Sequence, residues 1–143
     1  MNFVSLMSHS KPIRVLIVDD HPAVREGLTE MIATQPDMRV AGVASDGAEA
    51  IALFGALQPD VTLLDMRLPN LSGLEVARKL RHFAPHSHVI AMSNEDKREA
   101  ALRAGASAFL LKERFGEDLL NLIRTIHDSA LLASSEAARP NQS

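Results

Sequence analysis

Cysteine, tryptophan and tyrosine are absent from the 143-residue chain, and phenylalanine occurs five times. Without cysteine there are no disulfides, thiolate zinc sites or cysteine nucleophiles. Without tryptophan and tyrosine, platforms for stacking nucleic-acid bases are poorly supplied. Positive charge is also in deficit: 15 Lys+Arg against 18 Asp+Glu give a net charge of -3, the opposite of a nucleic-acid-binding footprint. No apolar run approaches the roughly 20 residues of a membrane span. The N-terminal MNFVSLMSHSKP has neither the basic region nor the apolar stretch of a signal peptide. These absences lead to an expected cytoplasmic protein with no membrane partner and no nucleic acid bound by this domain.

What is present is regular. A hydrophobic fraction of 46% in a chain of this length supplies one domain with a real core. Its organising stretch is DVTLLDMRLPNLSG, from Asp60 to Gly73. The apolar run Val61-Thr62-Leu63-Leu64 delivers Asp65 into a turn signalled by Pro69, Asn70, Ser72 and Gly73. A buried strand that ends in an acid places that acid at a sheet edge open to ligands. Asp60 lies at the other end of the run, roughly 16 Å away, and reads as a strand-entry residue.

The remaining segments follow the same rhythm. Ile13 to Val18 is an aliphatic run suited to a strand buried on both faces, and it ends in Asp19-Asp20. Pro22 opens a helix with Val24, Leu28, Met31 and Ile32 on one face. Met38 to Val43 is a strand, Asp46-Gly47 a turn, and Ile51, Phe54 and Leu57 mark a second helix. Ser72 and Glu75 form the capping pair of a third. His88 to Met92 is a strand closing with Ser93, and Glu95 to Ala104 a short helix stopped by Gly105. Ala108 to Leu111 is a strand closing with Lys112, and a last helix carries Leu119, Leu120, Ile123 and Ile126. Expected boundaries are a flexible leader at 1–11, with Met7 an alternative start, a domain at 12–132, and a disordered tail or linker stub at 133–143.

Five strands alternating with five helices predict an α/β three-layer (βα)5 sandwich of the flavodoxin-like kind. The sheet is parallel and five-stranded, in the order 2-1-3-4-5. In that order the switch point lies between strands 1 and 3. Asp19, Asp20 and Asp65 then converge, with Ser93 and Lys112 on the next strand ends. Three unpaired carboxylates repel, and Mg²⁺ held by carboxylates and waters resolves the repulsion. Clustered acids, Mg²⁺, a hydroxyl and a lysine suit phosphoryl transfer to a carboxylate.

VLIVDDHPAVREGL, DVTLLDMRLPNLSGLE and AGASAFLLKE together resemble the receiver domain of two-component response regulators. The DDH start and Lys-Glu ending resemble the NarL/FixJ subgroup, and the likeness runs from about Ile13 to Ile126. It implies that Asp65 is the phospho-acceptor, Asp20 a direct Mg²⁺ ligand, and Asp19 a ligand acting largely through water. It implies that the carbonyl of Arg67 is the third protein ligand. Ser93 and Lys112 resemble the phosphate-sensing hydroxyl and lysine, and Phe109, with Ser93, the switch pair. The implied partners are a histidine kinase or phosphotransfer protein, small phosphodonors, and a second copy in a homodimer formed on phosphorylation. The dimer face is either helices 1 and 5 or helix 4, strand 5 and helix 5. Such a domain is a signalling phospho-acceptor, not an enzyme with its own substrate.

Three features depart from the family pattern. Glu113 stands where many receivers have proline, Ser93 to Gly105 is roughly three residues short, and Asn94 replaces a small residue. Arg67 and Glu95 are expected to pair across the pocket, against a reading as two solvated rim charges. The alternatives are a pseudo-receiver that binds protein without phosphate, and a haloacid dehalogenase-type phosphatase. The latter wants an acid where Arg67 stands. His82, His86 and His88 straddle Pro85 and read as turn residues rather than zinc ligands, and His21 reads as the residue preceding a helix rather than as one that orients Asp20. Because no helix-turn-helix pattern follows residue 132, the chain is expected to be a stand-alone receiver or one cut at a linker.

Overall fold

The structure, a computed structural model, describes residues 11–138, with side chains to residue 129. Its elements run β1 (Ile13–Val18), α1 (Pro22–Ala33), β2 (Met38–Ala44), α2 (Gly47–Leu57), β3 (Val61–Asp65), α3 (Gly73–Phe83), β4 (His88–Ser93), α4 (Arg98–Arg103), β5 (Ala108–Leu111) and α5 (Phe115–Ala138). All strands are parallel, in the order β2-β1-β3-β4-β5. This is the flavodoxin-like arrangement expected from the alternation of apolar runs.

The central strands lack polar alternation because helices cover both faces. Along β1, Leu16 and Val18 join Leu64, Phe54, Val76 and Leu80 on the side of α2, α3 and α4. Ile13, Val15 and Ile17 join Leu63, Leu28, Ile32, Leu119 and Ile123 on the side of α1 and α5. Successive residues thus serve opposite cores, as the two-residue period of a strand requires. Each fully buried Leu or Ile contributes roughly 1.5–3 kcal/mol.

Caps set several boundaries. Ser72 Oγ accepts from Glu75 N at 3.3 Å, the expected pair at the start of α3. A second cap went unforeseen: Asp46 accepts from Glu49 N at 2.8 Å while Glu49 accepts from Ser45 N at 2.7 Å. This starts α2 at Gly47, inside the expected turn. At the other end of β3, Asp60 accepts from Arg14 N at 2.9 Å and its own N–H donates to Arg14 O at 2.9 Å. Asp60 therefore locks the entry of β3 to β1, the structural role read for it.

Two expectations need correction. The fourth helix begins at Arg98 rather than Glu95. Residues 94–97 form a loop instead, in which Glu95 N donates to Ser93 Oγ at 3.1 Å and Arg98 N to Asp96 Oδ1 at 3.1 Å. Gly105, at φ +106°, does end that segment. The last helix continues to Ala138, so 133–138 extend it where a tail was expected. Residues 1–10 of the expected 1–11 leader and residues 139–143 lie outside the described residues.

Candidate functional site

Strand register assembles the site. Val18 pairs with Leu64, so Asp19 and Asp65 are the next residues on adjacent strands. Asp65 pairs with Met92, and Ser93 pairs with Leu111, placing Ser93 and Lys112 one step further along. A cavity of about 350 Å³ opens above these ends, lined among others by Asp20, Asp65, Arg67, Ser93, Asn94 and Lys112.

Asp19 is fully buried. Its Oδ2 accepts from Lys112 Nζ at 2.8 Å and its Oδ1 from His21 N at 2.8 Å. Asp65 is 1% exposed. Its Oδ1 accepts from Arg67 N at 2.9 Å, while Oδ2 lies 3.3 Å from Lys112 Nζ without hydrogen-bond geometry. Burial, aided by the charge of Asp19, raises the Asp65 pKa above the usual carboxylate value, although the Arg67 N–H and Lys112 pull the other way. Burial of the Lys112 ammonium lowers its pKa, but the Asp19 hydrogen bond and the charges of Asp65 and Asp19 outweigh this and raise it overall.

One lysine against three carboxylates leaves the cluster rich in negative charge. Asp65 Oδ2 and Asp20 Oδ1 are buried and accept no hydrogen bond. Asp19, Asp20, His21 and Asp65 each offer a ligand atom, all within 4.8 Å of one another. Carboxylate oxygens that accept no hydrogen bond in an acidic cleft are the donor set of a hard divalent cation. The residues fit one.

The family model for the response regulator receiver domain matches residues 15–124. The chain belongs to the response regulator receiver domain family. It is 37% identical over 139 residues to the nitrate/nitrite response regulator protein NarL of Escherichia coli (strain K12), an alignment covering 94% of this chain and 63% of that protein. The chain thus spans less than two thirds of this relative's length. Likeness to NarL-type relatives puts the receiver in the NarL/FixJ subgroup. Among solved structures, the response regulator domain of Thermotoga maritima CheB is similar, at 36% identity and TM-score 0.76, covering 82% of this chain and 98% of that one. A CheY-like receiver domain protein of Methanospirillum hungatei JF-1 is similar at 25% identity and TM-score 0.79, covering 86% and 99%.

Within the receiver, Asp19, Asp20, Asp65, Ser93, Lys112 and Arg67 meet at one strand edge. Phe109 does not line this cavity. It is 3% exposed, packed in the core with Ala101 and Ala104, and the Arg98 guanidinium lies 5.6 Å from its ring centroid. The peptide after Lys112 is trans and enters a 3-10 turn, Lys112–Arg114, so Glu113 stands in place of proline without a cis bond. The expected Arg67–Glu95 pair is not formed. Glu95 instead lies 3.9 Å from Lys97, because the 94–97 loop turns its side chain along its own segment.

His21 precedes α1 as its N-cap residue, as expected, and it also belongs with the acids. Its Nδ1 lies 3.1 Å from Asp19 Oδ1 and 3.0 Å from Asp20 Oδ1. The signal was its position directly after the acid pair, where chain reversal into α1 folds the ring back. Arg25 also went unread, and it donates to the Asp19 carbonyl at 2.8 Å. His88 binds Ser107 Oγ at 2.8 Å. Among the described residues, the histidines around Pro85 join no metal-ligating group.

No helix among the described residues is long and apolar enough to cross a membrane.

Proposed function

We propose that Asp65 is the phospho-acceptor of this receiver domain, taking a phosphoryl group from the phosphohistidine of a histidine kinase or phosphotransfer protein. The observation that carries the reading is the Asp65 carboxylate itself. It is buried, one oxygen has no hydrogen-bond partner, and the group faces a cavity large enough for a phosphoryl group.

In the transfer, an Asp65 oxygen forms a bond to phosphorus as the bond to the donor's imidazole nitrogen breaks. The imidazole leaves with the bonding pair and takes a proton from solvent. Asp19, Asp20, Asp65 and the Arg67 carbonyl are the groups that would hold Mg²⁺. When bound, Mg²⁺ neutralises charge on the phosphoryl oxygens. The Arg67 N–H holds the carboxylate in place. Lys112, already shared between Asp19 and Asp65, supplies the positive charge that a phosphoryl oxygen would draw towards itself. Ser93 is nearly buried at the cavity wall, and its hydroxyl has a proton to donate.

Phosphorylation adds about -1.5 to -2 charge. Lys112 and Ser93 would move towards it, and through β4 and β5 the change would reach Phe109 and the α4 face. A homodimer, through α1 and α5 or through α4, β5 and α5, is the output we assign to phosphorylation, within a cytoplasmic regulator of transcription of the NarL type. The test is incubation with acetyl phosphate, with and without Mg²⁺, read by intact mass. Mg²⁺-dependent gain of one phosphoryl group, absent in Asp65→Asn, supports the reading; equal labelling of both proteins overturns it.

A further inference from the structure

The seven residues between Asp65 and α3 include Arg67, whose carbonyl would hold the metal. Both ends of this loop meet at Gly73, whose N–H lies 3.3 Å from Met66 O. A Cβ at residue 73 would stand 2.5 Å from Met66 Cα, 2.7 Å from the Asp65 carbonyl oxygen and 2.9 Å from the Met66 carbonyl carbon. All three are backbone atoms, so no side-chain rotation relieves the clash.

Neither partner is free to retreat. Met66 N donates to Met92 O at 2.8 Å, tying the loop start to β4. On the other side, Val76, Ala77 and Leu80 fix α3 in the core at 0–1% exposure. A second close approach holds the loop from outside. A Cβ at Gly47, the first residue of α2, would meet Val76 Cγ2 at 2.8 Å and Leu71 Cβ at 3.0 Å. Leu71 is a loop residue, with its own N–H on Pro69 O at 2.8 Å.

We infer that Gly73 is a positioning residue for the phosphoryl-transfer site. Its missing side chain lets α3 press on the Asp65–Met66 backbone and so fixes the Asp65 carboxylate and the Arg67 peptide. Gly47 supports the same loop through Leu71. The inference rests on Asp65 being the phospho-acceptor. Helix propensity points the opposite way: alanine is favoured over glycine within a helix, so a purely local account expects Gly73→Ala to be benign or stabilising.

The experiment compares Gly73→Ala, Gly47→Ala and wild type, with Gly55→Ala as control because nothing lies within 4 Å of a Cβ there. Three readouts are taken: Met66 and Arg67 amide resonances without metal, Mg²⁺ affinity by titration, and the acetyl phosphate labelling rate. Folded Gly73→Ala should shift those resonances and lower Mg²⁺ affinity and rate by roughly tenfold or more, since small misplacements carry such costs. Gly47→Ala should show a smaller loss, because side chains rather than backbone meet its Cβ. Gly55→Ala should match wild type. If Gly73→Ala does not fold, Gly47→Ala decides, and its equality with wild type overturns the inference. Folded Gly73→Ala with wild-type resonances, affinity and rate also overturns it. Wild type that takes no phosphate instead overturns the acceptor reading itself.

Discussion

Lys112 Nζ lies 2.8 Å from Asp19 Oδ2 and 3.3 Å from Asp65 Oδ2, so one ammonium holds the carboxylates of two adjacent strands together. The lysine side chain is 10% exposed and both acids are buried. Solvent can do little to replace it.

Removing that ammonium leaves buried charge without its partner, which costs about 3–5 kcal/mol when a buried pair is broken from one side. Lys112→Met should therefore lose about 3 kcal/mol near neutral pH, measured by urea denaturation without metal. Part of the loss should return on adding Mg²⁺, which binds the freed acids. A midpoint equal to that of wild type would show that the pair carries no net stability.

Asp65 has a raised pKa, from burial first and the Asp19 charge as well. Its contribution to stability is greatest below the unfolded-chain value of 3.8 and falls as pH rises through the raised folded value, because the ionised form is the one burial penalises. Metal-free Asp65→Asn should accordingly unfold at a higher temperature than wild type at neutral pH. The gap should close towards pH 3.8, and Mg²⁺ should stabilise wild type more than the variant. Calorimetry across pH checks the sign, and a variant less stable at every pH contradicts it.

Thr62 is fully buried in β3, and its Oγ1 has no hydrogen-bond partner. An unpaired buried hydroxyl costs about 1–3 kcal/mol, and valine keeps the branched shape. Thr62→Val should gain about 1 kcal/mol in chemical denaturation, with labelling of Asp65 unchanged. A loss of stability would mean that the hydroxyl is satisfied after all.

Arg124 on α5 binds Asp37 through two bonds, Nε to Oδ2 at 2.8 Å and Nη2 to Oδ1 at 3.0 Å. The Asp37 pKa is lowered chiefly by this hydrogen bond. The pair therefore stabilises above the unfolded carboxylate pKa and loses its effect as pH falls through the depressed one. At 44% exposure of Asp37, solvent screening limits its worth to about 1 kcal/mol or less. Arg124→Ala should lower stability by that amount at pH 7 and by nothing at strongly acidic pH. A pH-independent loss would assign the effect to packing of the arginine stem.

The fold was legible because VTLL and RVLIV are long enough and apolar enough to need cover on both faces. That requirement admits few connections between them. The site followed from the same runs: each ends in a polar residue, and a parallel sheet aligns those ends. What escaped the sequence depended on loop conformation. The sequence favours a helix from Glu95 and a pair between Glu95 and Arg67, whereas Ser93 and Asp96 side chains accept local N–H groups and keep 94–97 out of the helix. For His21 the sequence alone does not decide between orienting Asp20 and preceding the helix, because its contact with the acids depends on the turn into α1. Gly73 gave no sign of the backbone it touches, since close approach is invisible until the chain is folded.

The most direct test of the account is the chemical identity of residue 65 after labelling. Protein treated with acetyl phosphate and Mg²⁺ would be reduced with borohydride, which converts an aspartyl phosphate to homoserine, and its peptides mapped by mass. The account predicts homoserine at position 65 and nowhere else. Homoserine at Asp19 or Asp20, or none in a protein that binds Mg²⁺, would contradict it.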